Sequence, residues 1–162
     1  MTETLDITVG FRATMSRLAT GVSVITTRSG DTPIGMTASA VSALSLDPLQ
    51  LLVCIANHLY TRTAIAGHGR FAVNVLGEDS EALARNFAAS KPDKFAGVET
   101  FDDHGVPVLK DAIAVIVCDV AEALPGGDHT IFVGDVRYCD HRTECRPLLH
   151  FAGGFGTLGA PH

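Results

Sequence analysis

The sequence predicts a mainly β fold, an antiparallel barrel carrying a few short helices. Three observations point there. Short runs rich in Val, Ile, Thr and Phe recur, bounded by Gly, Pro and Asp. These runs do not alternate with long helical segments, as a doubly wound parallel sheet would require. The helix-period segments are few and short, which suits helices inserted between the strands of a barrel.

Taken in order, Met1 to Asp6 reads as a loose leader. Phe11, Met15 and Leu18 recur at helical spacing, with Gly21 as the C-cap. Val22 to Arg28 is β-branched and predicts a strand. Ser29-Gly30-Asp31 is a turn signal, and Pro33 to Ala40 returns as a second strand. After the breaker Asp47-Pro48, Leu49 to Ala56 is a buried strand. Thr61 to Ala66 is a short helix, with Thr61 as N-cap and Gly67 as terminator. Phe71 to Leu76 is a strand, and Ser80 to Ala89 a helix with Leu83 and Phe87 on one face. Lys91 to Val108, with Pro92, Gly97, Gly105 and Pro107, reads as loop. Ala112 to Ala121 is a long apolar strand, Pro125-Gly126-Gly127 a turn, and Thr130 to Cys139 a strand. Leu148 to Leu158 is a last strand weakened by its glycines. The total is about seven strands and two or three short helices.

At 162 residues the chain is read as one domain with its core over about 11–158. It is 46% hydrophobic and 19% charged, enough to fill a core without disulfides or a structural metal. Lys+Arg number 12 against 18 Asp+Glu, a net charge of -6. That balance speaks against a nucleic-acid binder, which carries a basic face. The apolar runs Leu51 to Ala56 and Ala112 to Cys118 are too short to span a membrane. Glu3 and Asp6 replace the basic region of a signal peptide, so a cytoplasmic protein with four reduced cysteines is expected. With no Trp and two Tyr, aromatic stacking falls mainly to Phe.

Several strings fail as motifs. Gly154-Phe-Gly156-Thr-Leu-Gly159 matches G-x-G-x-x-G, but no βαβ unit follows to hold a dinucleotide. Cys139, His141, Cys145 and His150 lack the tight cysteine pair of a zinc site, so no metal is expected. No G-x-S-x-G elbow licenses a catalytic triad. Cys54 and Cys118, in apolar runs, read as core thiols.

Four segments stand out from a plain scaffold. Gly35-Met36-Thr37-Ala38-Ser39-Ala40 is a strand exit of small and hydroxyl residues, suited to a flat ligand or to a tightly packed strand pair. Asn57 to Thr63 places Thr61, Arg62 and Thr63 at a helix start, either an anion site or an ordinary cap. Asn74 is an amide inside the apolar run Phe71 to Leu76, and a buried amide needs partners from the backbone or from a ligand. Gly127-Asp128-His129-Thr130 puts a histidine at a strand entrance, for a cleft or for structure alone.

Together these segments resemble the flavin reductase family. The features run from about Phe11 to Leu158. They are Phe11-Arg12 with Ala19 to Val24, Gly35 to Ser39, Leu46-Asp47-Pro48, Phe71 to Leu76, Asp93-Lys94-Phe95, Gly127 to Thr130 and Pro147-Leu148-Leu149. The resemblance implies an FMN-binding split β-barrel, antiparallel and Greek-key-like, working as a homodimer. It implies that Gly35 to Ala40 lines a flavin, with Thr37 or Ser39 touching the ring or ribityl chain. Thr61 and Thr63, with Arg62 or Lys94 nearby, would hold the flavin phosphate, and Asn57 and Phe95 belong to the same matched segments. Asn74 would lie near the isoalloxazine or the chain behind it, and Phe155 near the cofactor. His129 would border the nicotinamide.

The function implied is NAD(P)H-dependent reduction of FMN or FAD, with reduced flavin passed to a separate flavin-dependent monooxygenase. Such a hydride transfer needs orientation and electrostatics and no protein nucleophile. The choices between FMN and FAD, and between NADH and NADPH, stay open. The rivals are a flavin- or haem-binding barrel without reductase turnover, and a barrel that binds no small ligand.

Overall fold

The computed structural model describes residues 6–159, so the leader assigned to Met1 to Asp6 falls almost wholly outside the described residues. Along the chain come α1 (Ile7–Met15), β1 (Thr20–Gly21), β2 (Ser23–Ser29), β3 (Thr32–Ala38), β4 (Val41–Leu46) and β5 (Leu49–Ala56). There follow α2 (Tyr60–His68), β6 (Arg70–Leu76), α3 (Glu81–Ala88), β7 (Thr100–Asp103) and β8 (Val106–Leu109). The last elements are β9 (Ala112–Gly126), β10 (His129–His141), β11 (Leu148–Phe151) and β12 (Gly154–Thr157).

Seven strands form one antiparallel sheet in the order β3-β2-β6-β9-β10-β5-β4. Its two outermost strands, β3 and β4, are joined by Ser39 and Ala40 alone. A connection that short brings the rims together, so the sheet must curl into a barrel. Cys54 N–H donates to the Ala40 carbonyl at 3.0 Å, which carries the β4–β5 ladder into this connection. Strand alternation aims every second side chain of β5 inward. Leu51, Val53 and Ile55 meet Ile25, Phe71, Val73, Cys118 and Phe132 there. Gly134 has no room for a side chain: a Cβ would stand 2.6 Å from Cys118 Cβ and 2.8 Å from Phe71 Cζ.

A second apolar cluster lies outside the barrel wall, where Ala84 and Phe87 of α3 cover Val22, Val24, Leu76, Leu109 and Leu148. Asn74, fully buried on β6, binds the parts together. Its Nδ2 donates to the Val24 carbonyl (2.9 Å) and to Thr26 Oγ1 (3.0 Å), and its Oδ1 accepts from Leu109 N–H (2.9 Å). Thr26 Oγ1 then donates to the Pro107 carbonyl at 2.5 Å. Asn74 therefore clamps the β7–β8 hairpin to the barrel.

The mainly β class and the few short helices match the sequence reading, while several elements differ from it. Among the described residues there are twelve strands, not about seven. The first helix stops at Ser16, and Phe11, Met15 and Leu18 are exposed, so their helical spacing marks a face without a core. Gly21 is no C-cap but pairs with Leu149. Strand β4 lies where none was predicted. The stretch from Lys91 to Val108 contains the β7–β8 hairpin. Pro125 and Gly126 belong to β9, which leaves the turn to Gly127 and Asp128, and the last strand is the β11–β12 hairpin. Helix α2 begins at Tyr60 with Leu59 as N-cap, so Thr61 is a buried first-turn residue, and the left-handed Gly69, not Gly67, ends it. No helix among the described residues is long and apolar enough to cross a membrane.

Candidate functional site

Three hollows open around the start of α2 and the end of β3. The first, about 450 Å³, is lined by Gly35, Met36, Tyr60, Thr61, Lys91 and Lys94, among others that include Phe95. The lysines stand out in a chain of net charge -6. Lys94 Nζ donates to the Phe87 carbonyl at 2.9 Å and to the Gly35 carbonyl at 3.4 Å, which ties β3 to the end of α3. Burial, and then the neighbouring Lys91 charge, hold the Lys94 pKa below its ordinary value. An anion placed in this hollow would oppose both effects by favouring the charged ammonium. No side chain caps the N-terminus of α2, so its first amides lack a side-chain partner. Such amides favour an anion.

Gly35 has a different use from the one its size suggested. A Cβ there would stand 2.8 Å from Phe87 Cε1 and 3.1 Å from Phe95 Cζ. The missing side chain makes room for two packed phenylalanines, themselves edge to face at 5.0 Å.

The second hollow, about 480 Å³, is lined by Asn57, Arg62, Leu124, Pro125, His129 and Thr130, with Ala123. Arg62 Nε donates to Thr130 Oγ1 (3.1 Å), which donates in turn to Asn57 Oδ1 (2.7 Å). Asn57 N–H donates to the Asp128 carbonyl at 2.9 Å, so this chain of bonds fixes the β9–β10 turn against the end of β5. His129 Nδ1 lies 2.6 Å from Asp128 Oδ1. That contact and the imidazole charge hold the Asp128 carboxyl below the usual carboxylate range. An ionised carboxylate only accepts, so Nδ1 carries the proton and Nε2 is left for the hollow.

The third hollow, about 600 Å³, is the most apolar. Phe11, Met15 and Leu18 face Ser39, Ala40 and Cys54 across it.

The expected site residues are thus divided. Gly35, Met36, Thr61, Lys94 and Phe95 meet in the first hollow, Asn57, Arg62 and His129 in the second, Ser39 and Ala40 in the third. Arg62 sits with His129 and not with the lysines. Thr63 is exposed and lines none of the three. Thr37 Oγ1 donates to the Ala84 carbonyl at 2.6 Å, and Ala38 faces the barrel interior. The Asn74 amide is bonded within the protein, which settles its partners as Val24, Thr26 and Leu109. Phe155 packs edge to face on His150 at 5.8 Å, with the Arg85 guanidinium 5.0 Å from its ring centre. Sequence reasoning missed Tyr60 and Lys91. The signal for Lys91 was its spacing, three residues before Lys94 in an acidic chain.

Comparison with known proteins places these hollows in context. Residues 15–159 match the model of the flavin reductase like domain. The chain is 38% identical to the reductase component of a 4-nitrophenol 4-monooxygenase/4-nitrocatechol 2-monooxygenase from Rhodococcus opacus, over 90% of this chain and 78% of that protein. It superposes on the flavin reductase PheA2 in its native state with a TM-score of 0.87 and 39% identity, covering 93% of this chain and 97% of the other. A Streptomyces globisporus NADH:FAD oxidoreductase, solved with NAD and FAD fragments, matches with a TM-score of 0.90 and 30% identity, over 94% and 93%.

Proposed function

Because the chain belongs to the flavin reductase-like family, we propose that its three hollows hold one flavin and one nicotinamide nucleotide side by side. The protein is an NAD(P)H-dependent flavin reductase, an enzyme that supplies reduced flavin to a partner monooxygenase. When both nucleotides are bound, a hydride passes from the nicotinamide C4 to the flavin N5, and a solvent proton completes the reduction.

The chain's residues supply place and field. Lys91, Lys94 and the Tyr60 and Thr61 amides at the start of α2 take the flavin phosphate. Riboflavin lacks that group, and riboflavin binding as tight as FMN binding would remove the role. The flavin ring lies along β3, which runs from Gly35 and Met36 in the first hollow to Ser39 and Ala40 in the third. Asn57, Thr130 and Arg62 steady the opposite side, and His129 Nε2 orients the nicotinamide amide. Arg62 serves this nicotinamide side, and Thr37, Ala38 and Asn74 shape the wall from behind.

One observation carries the reading. The first turn of α2 is a wall common to two hollows, with Tyr60 and Thr61 facing the lysines and Arg62 facing His129. Nucleotides anchored on the two sides of one helix start can bring their rings into direct van der Waals contact beyond it, with no protein between the reacting atoms, as hydride transfer requires. Purified protein mixed with NADH and FMN or FAD is expected to bleach the nicotinamide absorbance at a rate proportional to enzyme. Flavin binding without that loss would favour the binding-only reading.

A second copy of the chain covers the apolar side of the third hollow, at Phe11, Met15 and Leu18, and the working enzyme is a homodimer. In support, α1 has no buried residue and shows Ile7, Phe11 and Met15 to solvent, as does Leu18 just beyond it. Ser39 and Ala40 lie on the same surface, so the partner would complete the flavin site. Sedimentation as a monomer at micromolar concentration would remove this assignment.

A further inference from the structure

Among the described residues four large aromatic side chains are exposed: Phe11, Tyr60, Phe101 and Phe151. Of these, Tyr60 alone lines the hollow that holds Lys91 and Lys94. It is 60% exposed, so core packing does not explain its ring. Its hydroxyl lies 2.8 Å from Ser29 Oγ, at the far end of the β2–β3 hairpin. That bond holds the ring at the hairpin end of β3, where Pro33 and Ile34 also line the hollow, while Lys94 reaches the Gly35 carbonyl further along the strand. An aromatic face that is both open and pinned is a stacking surface with little conformational freedom left to lose.

We propose that Tyr60 is a platform for the adenine ring of FAD, and that it makes this reductase prefer FAD to FMN. The inference rests on the flavin reading above and names the flavin. A diphosphate between Lys91, Lys94 and the start of α2 leads the nucleotide outward along β3. The base it carries then meets the Tyr60 face. FMN ends at its single phosphate and never reaches the ring. Stacking tolerates any base, so the selectivity is for the presence of a base and not for its edge.

Titration calorimetry with riboflavin, FMN and FAD tests this on the wild type, Tyr60→Ala, Tyr60→Phe and Lys91→Ala. The wild type is expected to bind FAD about tenfold more tightly than FMN. Tyr60→Ala should bring FAD down to the FMN affinity while FMN stays within about twofold, and Tyr60→Phe should keep most of the preference. Lys91→Ala should weaken FMN and FAD together and leave riboflavin alone. Equal FMN and FAD affinities in the wild type, or a parallel loss of both in Tyr60→Ala, overturn the platform and leave the reductase reading standing. A wild type that binds no flavin overturns both. The adenine of the nicotinamide nucleotide is the other source of a base. If Tyr60→Ala keeps its FAD affinity but raises KM for NADH and not for reduced nicotinamide mononucleotide, the assignment to FAD fails.

Discussion

Asn74→Ala is expected to lower stability by about 3 kcal/mol, the largest structural effect of any single polar substitution here. The side chain is fully buried and makes three hydrogen bonds to two other strands. Truncation leaves the buried Leu109 N–H without its acceptor and takes a donor from the Val24 carbonyl and from the Thr26 hydroxyl, which keeps its bond to Pro107. Each stranded buried group costs about 1–3 kcal/mol. Asn74→Asp keeps the acceptor for Leu109 and loses the amide donor, so it should also be destabilised. Urea denaturation followed by circular dichroism measures the loss. Flavin affinity per folded molecule should be nearly unchanged, because the amide is bonded inside the wall. An Asn74→Ala protein of normal stability that no longer binds flavin would reverse the assignment.

The second large effect is kinetic. His129→Ala should lower kcat/KM for the nicotinamide nucleotide about 10–100-fold, because small displacements from the reacting geometry carry that penalty. The imidazole is 43% exposed and its partner Asp128 is 94% exposed. Little stability is invested in such an open pair, so the melting temperature should barely move. That is the opposite pattern to Asn74. Asp128→Asn should show a smaller kinetic loss, since it loosens the ring without removing it. The pair also has a sign in pH. The Asp128 carboxyl titrates below the usual carboxylate range, so the contact is intact above that range and is lost as acid protonates Asp128. Stopped-flow hydride transfer at normal rate in His129→Ala, or an activity loss that merely follows unfolding, would defeat the role.

The strands that the sequence announced most clearly are those with one face in the barrel. Leu49 to Ala56 was bounded by Asp47-Pro48 on one side and a polar run on the other, and β5 has those limits. Strand β4 escaped notice for physical reasons. Ser39 and Ala40 carry no turn signal, and Ser42, Ala43 and Leu44 are exposed, so neither punctuation nor apolar alternation marked it. The β7–β8 hairpin was hidden by Gly105 and Pro107, which read as loop residues. For the site, the residue types and their order were legible, but their directions were not. The hydroxyl of Thr37 points to Ala84, 47 residues away, and the amide of Asn74 to Leu109, 35 residues away. A string shows that a polar atom exists in an apolar run; only the pairing of distant strands decides whether it faces a ligand or a backbone.

The order of strands in the barrel bears on when the site comes into being. Pairs β2–β3, β4–β5 and β9–β10 are hairpins between chain neighbours, and such local pairings form early. The β5–β10 pairing is different in kind. The Asn57–Thr130 bond at its end joins residues 73 apart, and loop closure over that distance delays it. His129 reaches its place opposite Ala56 only through this pairing. The newly made chain can hold every hairpin and still lack a nicotinamide pocket, so catalytic competence arrives with the closing of the barrel and not by degrees.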